Sequence, residues 1–351
     1  MTGYWYALGL DSRAQRDAAR ASLEQAQKLA PESIETLLAQ AYFHYWGQLD
    51  YARADSVLQR VLERVPDDVE AWTLRGYVAR RDGRFDDAVS AFQRSAKLDP
   101  VNLEAFNSLA ETHANLGHAA RAAEALAKAR ALGAESYDVA VTVYEARGDA
   151  EAAWSAIEGP FPTLAVAPFR VAMLSRDPAR VALSLSPTLW PLDLRNPSDF
   201  PEAYALAQAE SLLLTEPESA RRLLEQLHAR VQAQPDPYPG GWRHNNYYFP
   251  SDLPGMLGDL DGVRAAERSF LSAPPDAWAA RDVHLSLAIA FVRAGDPERA
   301  LHYLETIAAA FGPASYLRFS IQPGLDAVRE HPRYLALKAA YEAWAAKNPD
   351  A

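Results

Sequence analysis

The sequence predicts an all-α solenoid in which pairs of antiparallel helices stack one on another. Three stretches, at 35–66, at 69–100 and from Leu103 onward, align without a gap at a period of 34 residues. Glycine and proline recur at turn positions within this period, and no segment alternates apolar and polar residues for long enough to indicate a β-strand. The 351 residues therefore fit a repeat array, for which length has no natural limit.

The stretch at 69–100 shows why each position of the period is occupied as it is. Its marked positions are Trp72, Gly76, Gly83, Ala88, Phe92 and Pro100. The two large aromatic residues lie on facing stripes of two helices, and the small residues lie where those helices approach closely. Gly83 ends the first helix because glycine adopts the left-handed C-cap conformation without a clash. Pro100 ends the second helix, since proline disfavours helix at the residue before it.

The neighbouring stretches follow the same offsets with one exception. The next stretch holds Phe106, Ala110, Gly117, Ala122, Leu126 and Ala134, and the previous one holds Leu38, Tyr42, Leu49, Ala54, Leu58 and Pro66. Leu49 stands where a turn glycine is expected, so we expect the turn of that repeat to close differently. Looser helix pairs are predicted at 137–158, 166–185, 204–227, 256–271 and 284–307, and a helix at 11–29.

Two proline-rich segments interrupt the pattern, at 186–200 and at 234–250, because proline and glycine at that density prevent a regular helix. Three regions follow from this. They are 1–134, a regular array with an incomplete first repeat; 135–233, degenerate repeats interrupted at 186–200; and 234–351, a loop followed by further repeats and a capping helix. The incomplete first repeat fits a fragment of a longer protein or a short natural cap, and we favour the fragment.

These offsets resemble the tetratricopeptide repeat, which implies a right-handed superhelix whose first helices line a concave, protein-binding surface. Four segments make the resemblance more specific to one group of repeat proteins: 4–10, 41–51, 75–84 and 320–334. Together they are similar to the C-terminal repeat region of bacterial multidomain signalling proteins. There the repeats follow an adenylate-cyclase-like, kinase-like or winged-helix domain. No such domain lies within these 351 residues, so the resemblance implies no kinase or cyclase activity.

Composition and motifs exclude several classes of function. The formal charge of −11 disfavours non-specific nucleic-acid binding, which needs clustered positive charge. The chain has no cysteine, so thiolate metal sites and cysteine nucleophiles are excluded. Phosphate-binding glycine loops, Gly-x-Ser-x-Gly and His-x-x-x-His are absent. We therefore expect no enzymatic activity, no cofactor and no metal.

The expected location follows from the absence of targeting and membrane signals. No run of about 18 apolar residues predicts a membrane span, and the first residues lack the pattern of a signal peptide. We expect a cytoplasmic protein without membrane insertion, or a periplasmic one if the chain is part of a longer membrane-anchored protein.

The main candidate site lies on the predicted concave surface. Its residues are Phe43, Trp46, Thr73, Tyr77, Arg80, Arg81, Asn107, Glu111 and Asn115. Aromatic and arginine side chains anchor protein interfaces, and asparagine can hydrogen-bond an extended peptide. This predicts a protein or peptide partner; the alternative is a solvated helix face with Phe43 and Tyr77 packed between repeats. The lysines of a clamp for C-terminal carboxylates are missing, so a chaperone-tail adaptor is not expected.

Two further hypotheses stay open. Trp242, Arg243, His244 and Tyr247 in the loop at 234–250 could stack on a ligand or form a catalytic site. No motif supports catalysis there, and a loop that plugs a helical layer is the favoured reading. The other hypothesis is self-association as a homo-oligomer, through aromatic residues at 4–6 beside the incomplete repeat, since an uncapped repeat exposes an apolar face.

Overall fold

The structure is a computed structural model of the chain and describes residues 12–133, 137–157, 166–185, 201–233 and 250–348. The regular elements in these ranges are helices. They are α1 Ser12–Leu29, α2 Ile34–Tyr42, α3 Tyr51–Arg64, α4 Val69–Arg81, α5 Phe85–Leu98, α6 Leu103–Asn115, α7 Ala119–Ala131, α8 Tyr137–Ala146, α9 Ala150–Ile157, α10 Val166–Ser175, α11 Pro178–Ser184, α12 Pro201–Thr215, α13 Pro217–Gln232, α14 Asp252–Leu257, α15 Leu260–Ser272, α16 Ala277–Arg293, α17 Pro297–Phe311, α18 Ser315–Ser320 and α19 Pro332–Ala345. A π-helical turn at Phe43–Gln48 extends α2, and a 3-10 helix at Pro323–Val328 precedes α19.

Consecutive helices pack in pairs, and each pair packs on the next. The pairs are α2 with α3, α4 with α5, α6 with α7, α8 with α9, α10 with α11, α12 with α13, α14 with α15 and α16 with α17. Helices α3 and α4, α5 and α6, and α7 and α8 join successive pairs. The predicted all-α solenoid of helix pairs is thereby confirmed. The buried core runs along the array as four neighbouring groups of apolar side chains.

The close approach predicted at Gly76 is present. A Cβ atom at Gly76 would lie 2.4 Å from the ring of Phe92, which is fully buried. The glycine on α4 thus makes room for the aromatic ring on α5, which fills the space between the two helices at this point. Asp68 caps α4 by accepting a hydrogen bond from the backbone N–H of Ala71 at 2.8 Å, as expected of acidic residues at helix starts.

The first repeat closes its turn without glycine, as the sequence indicates. Leu49 takes the left-handed conformation, with φ of 54°, where Gly83 has φ of +80° in the next repeat. The π-helical turn before Leu49 directs the chain into this conformation, and the backbone N–H of Asp50 then donates to the carbonyl of His44 at 2.9 Å.

The C-terminal helices return to the N-terminal repeats, a contact that no repeat pattern predicts. Helix α16 packs on α4, and α18 packs on α8. The turn glycines of three successive pairs lie against the C-terminal helices. A Cβ atom at Gly83 would lie 3.1 Å from Cβ of Ala277, and a Cβ atom at Gly117 would lie 2.2 Å from Cβ of Ala314. A Cβ atom at Gly148 would lie 3.1 Å from the carbonyl oxygen of Leu317. The array is therefore closed upon itself along the turns that join first and second helices.

Two predicted features lie wholly or almost wholly outside the described residues, the proline-rich segments at 186–200 and 234–250. The division into three regions stays a prediction. None of the described helices is both long enough and apolar enough to cross a membrane.

Candidate functional site

The nine predicted residues of the main candidate site lie on the first helices of three successive pairs. Phe43 and Trp46 are in the π-helical turn that extends α2, four residues are on α4, and three are on α6. Those on α4 are Thr73, Tyr77, Arg80 and Arg81, and those on α6 are Asn107, Glu111 and Asn115. The repeat period brings them onto adjacent helices, but their side chains have very different surroundings.

Tyr77 connects α4 with α6. Its hydroxyl donates to Oε1 of Glu104 at 2.8 Å and accepts a hydrogen bond from Ser108 at 3.1 Å. Its ring stacks on Tyr45 at a centroid distance of 6.3 Å. Burial raises the pKa of Tyr77 well above its ordinary value, and Glu104 adds to this. The hydroxyl is therefore a neutral donor at every physiological pH.

Arg80 is a buried side chain that faces the C-terminal helices. Only 6% of the residue is exposed. Its Nη1 donates to Oε2 of Glu111 at 3.1 Å, and its guanidinium lies 4.1 Å from the ring centroid of Trp278, on α16. A desolvated cation over the face of a tryptophan is strongly attracted by the ring. Arg80 thus holds the start of α16 against α4.

Arg81 binds Asp276, the residue that caps the start of α16. Its Nη1 donates to Oδ2 of Asp276 at 3.1 Å, and the hydroxyl of Tyr51 donates to this oxygen at 3.1 Å. Asp276 also accepts from the backbone N–H groups of Trp278 and Ala279 at the start of α16. Burial would lower the pKa of Arg81, but Tyr45 and Asp276 outweigh burial and raise it above its ordinary value. Arg81 therefore stays charged. We call Arg80, Arg81, Asp276 and Trp278 the α16 contact.

Two of the predicted residues are internal to the repeats. Thr73 is 6% exposed, and its hydroxyl donates to the carbonyl of Val69 at 2.9 Å. Asn115 is 7% exposed, and its Nδ2 donates to the carbonyl of Glu111 at 2.8 Å. Both hydrogen bonds stay within the residue's own helix, and neither side chain presents much surface.

The remaining predicted residues keep part of their surface open. Phe43 lies beneath Arg20, whose guanidinium is 5.9 Å from the ring centroid. Trp46 packs edge-on against Tyr45 at 4.9 Å. The Oδ1 atom of Asn107 is buried and has no hydrogen-bond partner.

Sequence reasoning missed Asp276 and Trp278. An acidic residue just before a helix is a capping signal, so the start of α16 was readable from the sequence. Its partner, α4, was not, because the repeat pattern relates only neighbouring pairs. The second candidate group, Trp242, Arg243, His244 and Tyr247, lies outside the described residues, as does the aromatic segment at 4–6.

A histidine pair lies at the turn of the third repeat. Nδ1 of His113 is 3.3 Å from Nδ1 of His118, which suits two neutral rings of which one donates and the other accepts. Burial first, and then His118 and Arg121, lower the pKa of His113 to about 4. Burial also lowers the pKa of His118. Among the described residues, no three histidine or acidic side chains converge to hold a metal ion.

Acidification is expected to destabilise the repeat array through His113. Because its pKa is about 4 in the folded chain and about 6.5 when unfolded, the unfolded chain binds the proton more readily. Stability is therefore complete above about pH 6.5 and declines toward pH 4, by at most about 1.4 kcal/mol per pH unit for one proton. Urea unfolding at pH 7 and pH 4.5 measures it: His113→Gln should lose less stability than the wild type, and the exposed control His302→Gln should behave like the wild type. An unchanged pH dependence in His113→Gln would contradict the assignment.

Comparison with known proteins gives a family match in the N-terminal part of the array. The tetratricopeptide repeat family matches twice, at residues 44–102 and 74–137. No curated protein matches the chain in sequence. A solved structure, described as Naa15/Naa10 bound to HypK-THB, is similar over 96% of this chain with 16% identity and a TM-score of 0.31. This chain spans 64% of the length of that one, and a likeness at this level carries no inference about function. Residues 44–137 of the chain therefore match the tetratricopeptide repeat family.

Proposed function

We propose that the chain is a non-enzymatic scaffold or sensory module that binds a protein or peptide on the first helices of its N-terminal repeats. Tetratricopeptide repeats generally mediate protein–protein interactions. The matched residues, 44–137, contain eight of the nine candidate residues. Its resemblance to the repeat region of bacterial signalling proteins supports the further proposal that the module belongs to such a protein and acts in the cytoplasm.

The observation that carries the proposal is the α16 contact. The first helix α4 already recognises another helix of the same chain, through Asp276 and Trp278. Arginine and aromatic side chains on this surface thus bind an acidic group and an indole together. A partner segment with an acidic residue and an aromatic residue near each other has the chemistry to bind beside it.

The surface beside the α16 contact, on α2 and α6, is where such a partner segment would bind. Trp46 and Asn107 lie on the flanking first helices and make no contact with α16 among the described interactions. Asn107 is partly exposed, and its side-chain amide can hydrogen-bond the backbone of a bound peptide. We expect the peptide to lie across α2, α4 and α6 in an extended conformation.

Peptides selected from a random phage-displayed library against the full chain test this proposal. The affinity of each selected peptide is measured by fluorescence polarisation. Trp46→Ala and Asn107→Ala should each weaken binding at least tenfold, as expected for an anchor residue or a lost hydrogen bond of about 1.4 kcal/mol or more. Lys97→Ala, an exposed change on a second helix, is the control and should bind normally. Peptides that bind all three variants equally would reject this surface.

Self-association is the second candidate, and two exposed apolar side chains favour it. Leu29, at the end of α1, is 77% exposed, and Val101, between α5 and α6, is 69% exposed. Another copy of the chain could cover them. Light scattering after size exclusion over a concentration series decides this: a monomer at every concentration contradicts self-association, and a dimer that Leu29→Ser dissociates supports it.

A further inference from the structure

A small cavity lies where the C-terminal helices meet the repeats. Its volume is about 20 Å³, enough for one water molecule or one small ion. Asn115 of α6 contributes from the repeats, and Arg281 of α16 together with Ser315 and Arg318 of α18 contribute from the C-terminal side. We call it the junction cavity.

The polar residues around the junction cavity carry donors that nothing satisfies. The side chains of Arg281 and Arg318 are 8% and 9% exposed. Nη1 of Arg281, Nε and Nη1 of Arg318 and the hydroxyl of Ser315 are buried and have no hydrogen-bond partner. Three of these atoms are N–H groups of guanidinium ions, which can donate but cannot accept.

Two carboxylates, Asp282 and Glu145, lie at ion-pair distance from these arginines. Arg281 and Arg318 both bind Asp282, at 3.0 and 3.2 Å. Arg318 also lies 3.3 Å from Glu145, whose other oxygen is 2.8 Å from Arg170. Among the described residues that line the junction cavity, none is acidic. Three guanidinium groups therefore share two carboxylates: Arg281 and Arg318 share Asp282, and Arg318 and Arg170 share Glu145, whose buried oxygens lie at ion-pair distance but accept no hydrogen bond. The free donors of Arg281 and Arg318 belong to residues around a space that holds no acidic side chain.

Burial and the excess of positive charge around the junction cavity lower the pKa of Arg318. Burial first, and then the positive charge of Arg281, lower the pKa of Arg318 to about 10. Asp282 and Glu145 act in the opposite direction but do not outweigh them. An additional negative charge beside Arg318 would stabilise its charged form.

A water molecule would suit this cavity poorly. Water accepts about two hydrogen bonds and must itself donate two, whereas the surroundings offer mainly donors. An anion accepts from every donor at once and donates none, and hydrogen bonds to a charged acceptor are the stronger ones.

We propose that the junction cavity binds one small monovalent inorganic anion of the size of chloride. The anion bridges Arg281 and Arg318 with the hydroxyl of Ser315, between α16, α18 and α6. Because these helices come from the two ends of the array, the anion fastens the C-terminal helices onto the repeats. The stability of the closed array then depends on the concentration of that anion.

Thermal unfolding of the full chain at constant ionic strength tests the proposal. Sodium chloride and sodium bromide are each exchanged stepwise for sodium gluconate, an anion too large for the junction cavity. We expect the unfolding midpoint to rise with either halide and to reach a plateau. In Ser315→Ala, which keeps both guanidinium groups, we expect the halide concentration at half-saturation to be about tenfold higher.

A second measurement locates the ion directly. Anomalous diffraction from crystals grown in bromide should show a peak within hydrogen-bonding distance of Arg281 and Arg318. The control is Arg176→Gln, which breaks the exposed pair between Arg176 and Asp326 and leaves the junction cavity intact; it should keep the halide dependence. Equal midpoints in halide and gluconate overturn the proposal, whether or not bromide appears in the crystal, and so does a Ser315→Ala response identical to that of the wild type.

Discussion

Replacing Asp276 with alanine is expected to destabilise the chain by about 3 kcal/mol and to detach α16 from the repeats. The change removes the N-cap of α16, which alone contributes about 1 kcal/mol. It also leaves Arg81 without its carboxylate, at a site where the two side chains are only 25% and 15% exposed. Removing one partner of a largely buried ion pair is strongly destabilising because the other charge stays desolvated. Urea unfolding gives the loss of stability, and hydrogen exchange shows whether amides of α16 lose protection.

Two variants separate the contributions. Asp276→Asn keeps a capping side chain and removes the charge, so it should retain about 1 kcal/mol of what alanine loses. Asp326→Ala breaks another long-range pair, with Arg176, whose side chains are 47% and 44% exposed; exposed pairs contribute about 0–1 kcal/mol, so α16 should stay protected. If Asp276→Ala left the exchange of α16 unchanged, the α16 contact would not be what holds this helix.

Phe92→Ala is expected to have the largest effect of any single change in the regular repeats, a loss of about 3–5 kcal/mol. Phe92 is fully buried and its ring occupies the space that Gly76 leaves open. Since α4 and α5 pack around this ring, its removal leaves a cavity that neighbouring helices cannot fill. Val101→Ala, at a 69% exposed side chain, is the matched control and should change stability by less than about 0.5 kcal/mol. Urea unfolding measures both.

A double variant tests the pairing of Gly76 with Phe92. Gly76→Ala alone should destabilise the chain by about 1–3 kcal/mol, because the new methyl group overlaps the ring. In the Phe92→Ala background the same methyl group enters the cavity, so its cost should vanish or change sign. Additive losses would show that the two positions do not contact each other in solution.

The repeat architecture was predictable because its determinants are local. The residues that begin and end the helices, Asp68, Gly83 and Pro100, act within one or two turns of a helix. Gly76 and Phe92 lie on consecutive helices that a short loop connects. A period of 34 residues repeats these local choices, so each pair stacks on its neighbour in the same way. Even Leu49, the exception within the period, was correctly expected to close its turn differently.

The exposure of the candidate residues was less predictable. Arg80 and Asn115 occupy positions that face outward in an ideal repeat, yet they are 6% and 7% exposed. A single repeat cannot indicate this, since what covers Arg80 is Trp278, almost 200 positions later in the chain.

The sequence by itself determined the helices, their turns and the order in which neighbouring pairs stack, since each depends on residues close in the chain. Only the tertiary structure decided that α16 and α18 pack on the N-terminal repeats. This contact depends on the accumulated curvature of the array, which adds small rotations from every pair and brings Asp276 beside Arg81 and Arg318 beside Glu145. The same closure creates the junction cavity and leaves Trp46 and Asn107 partly exposed.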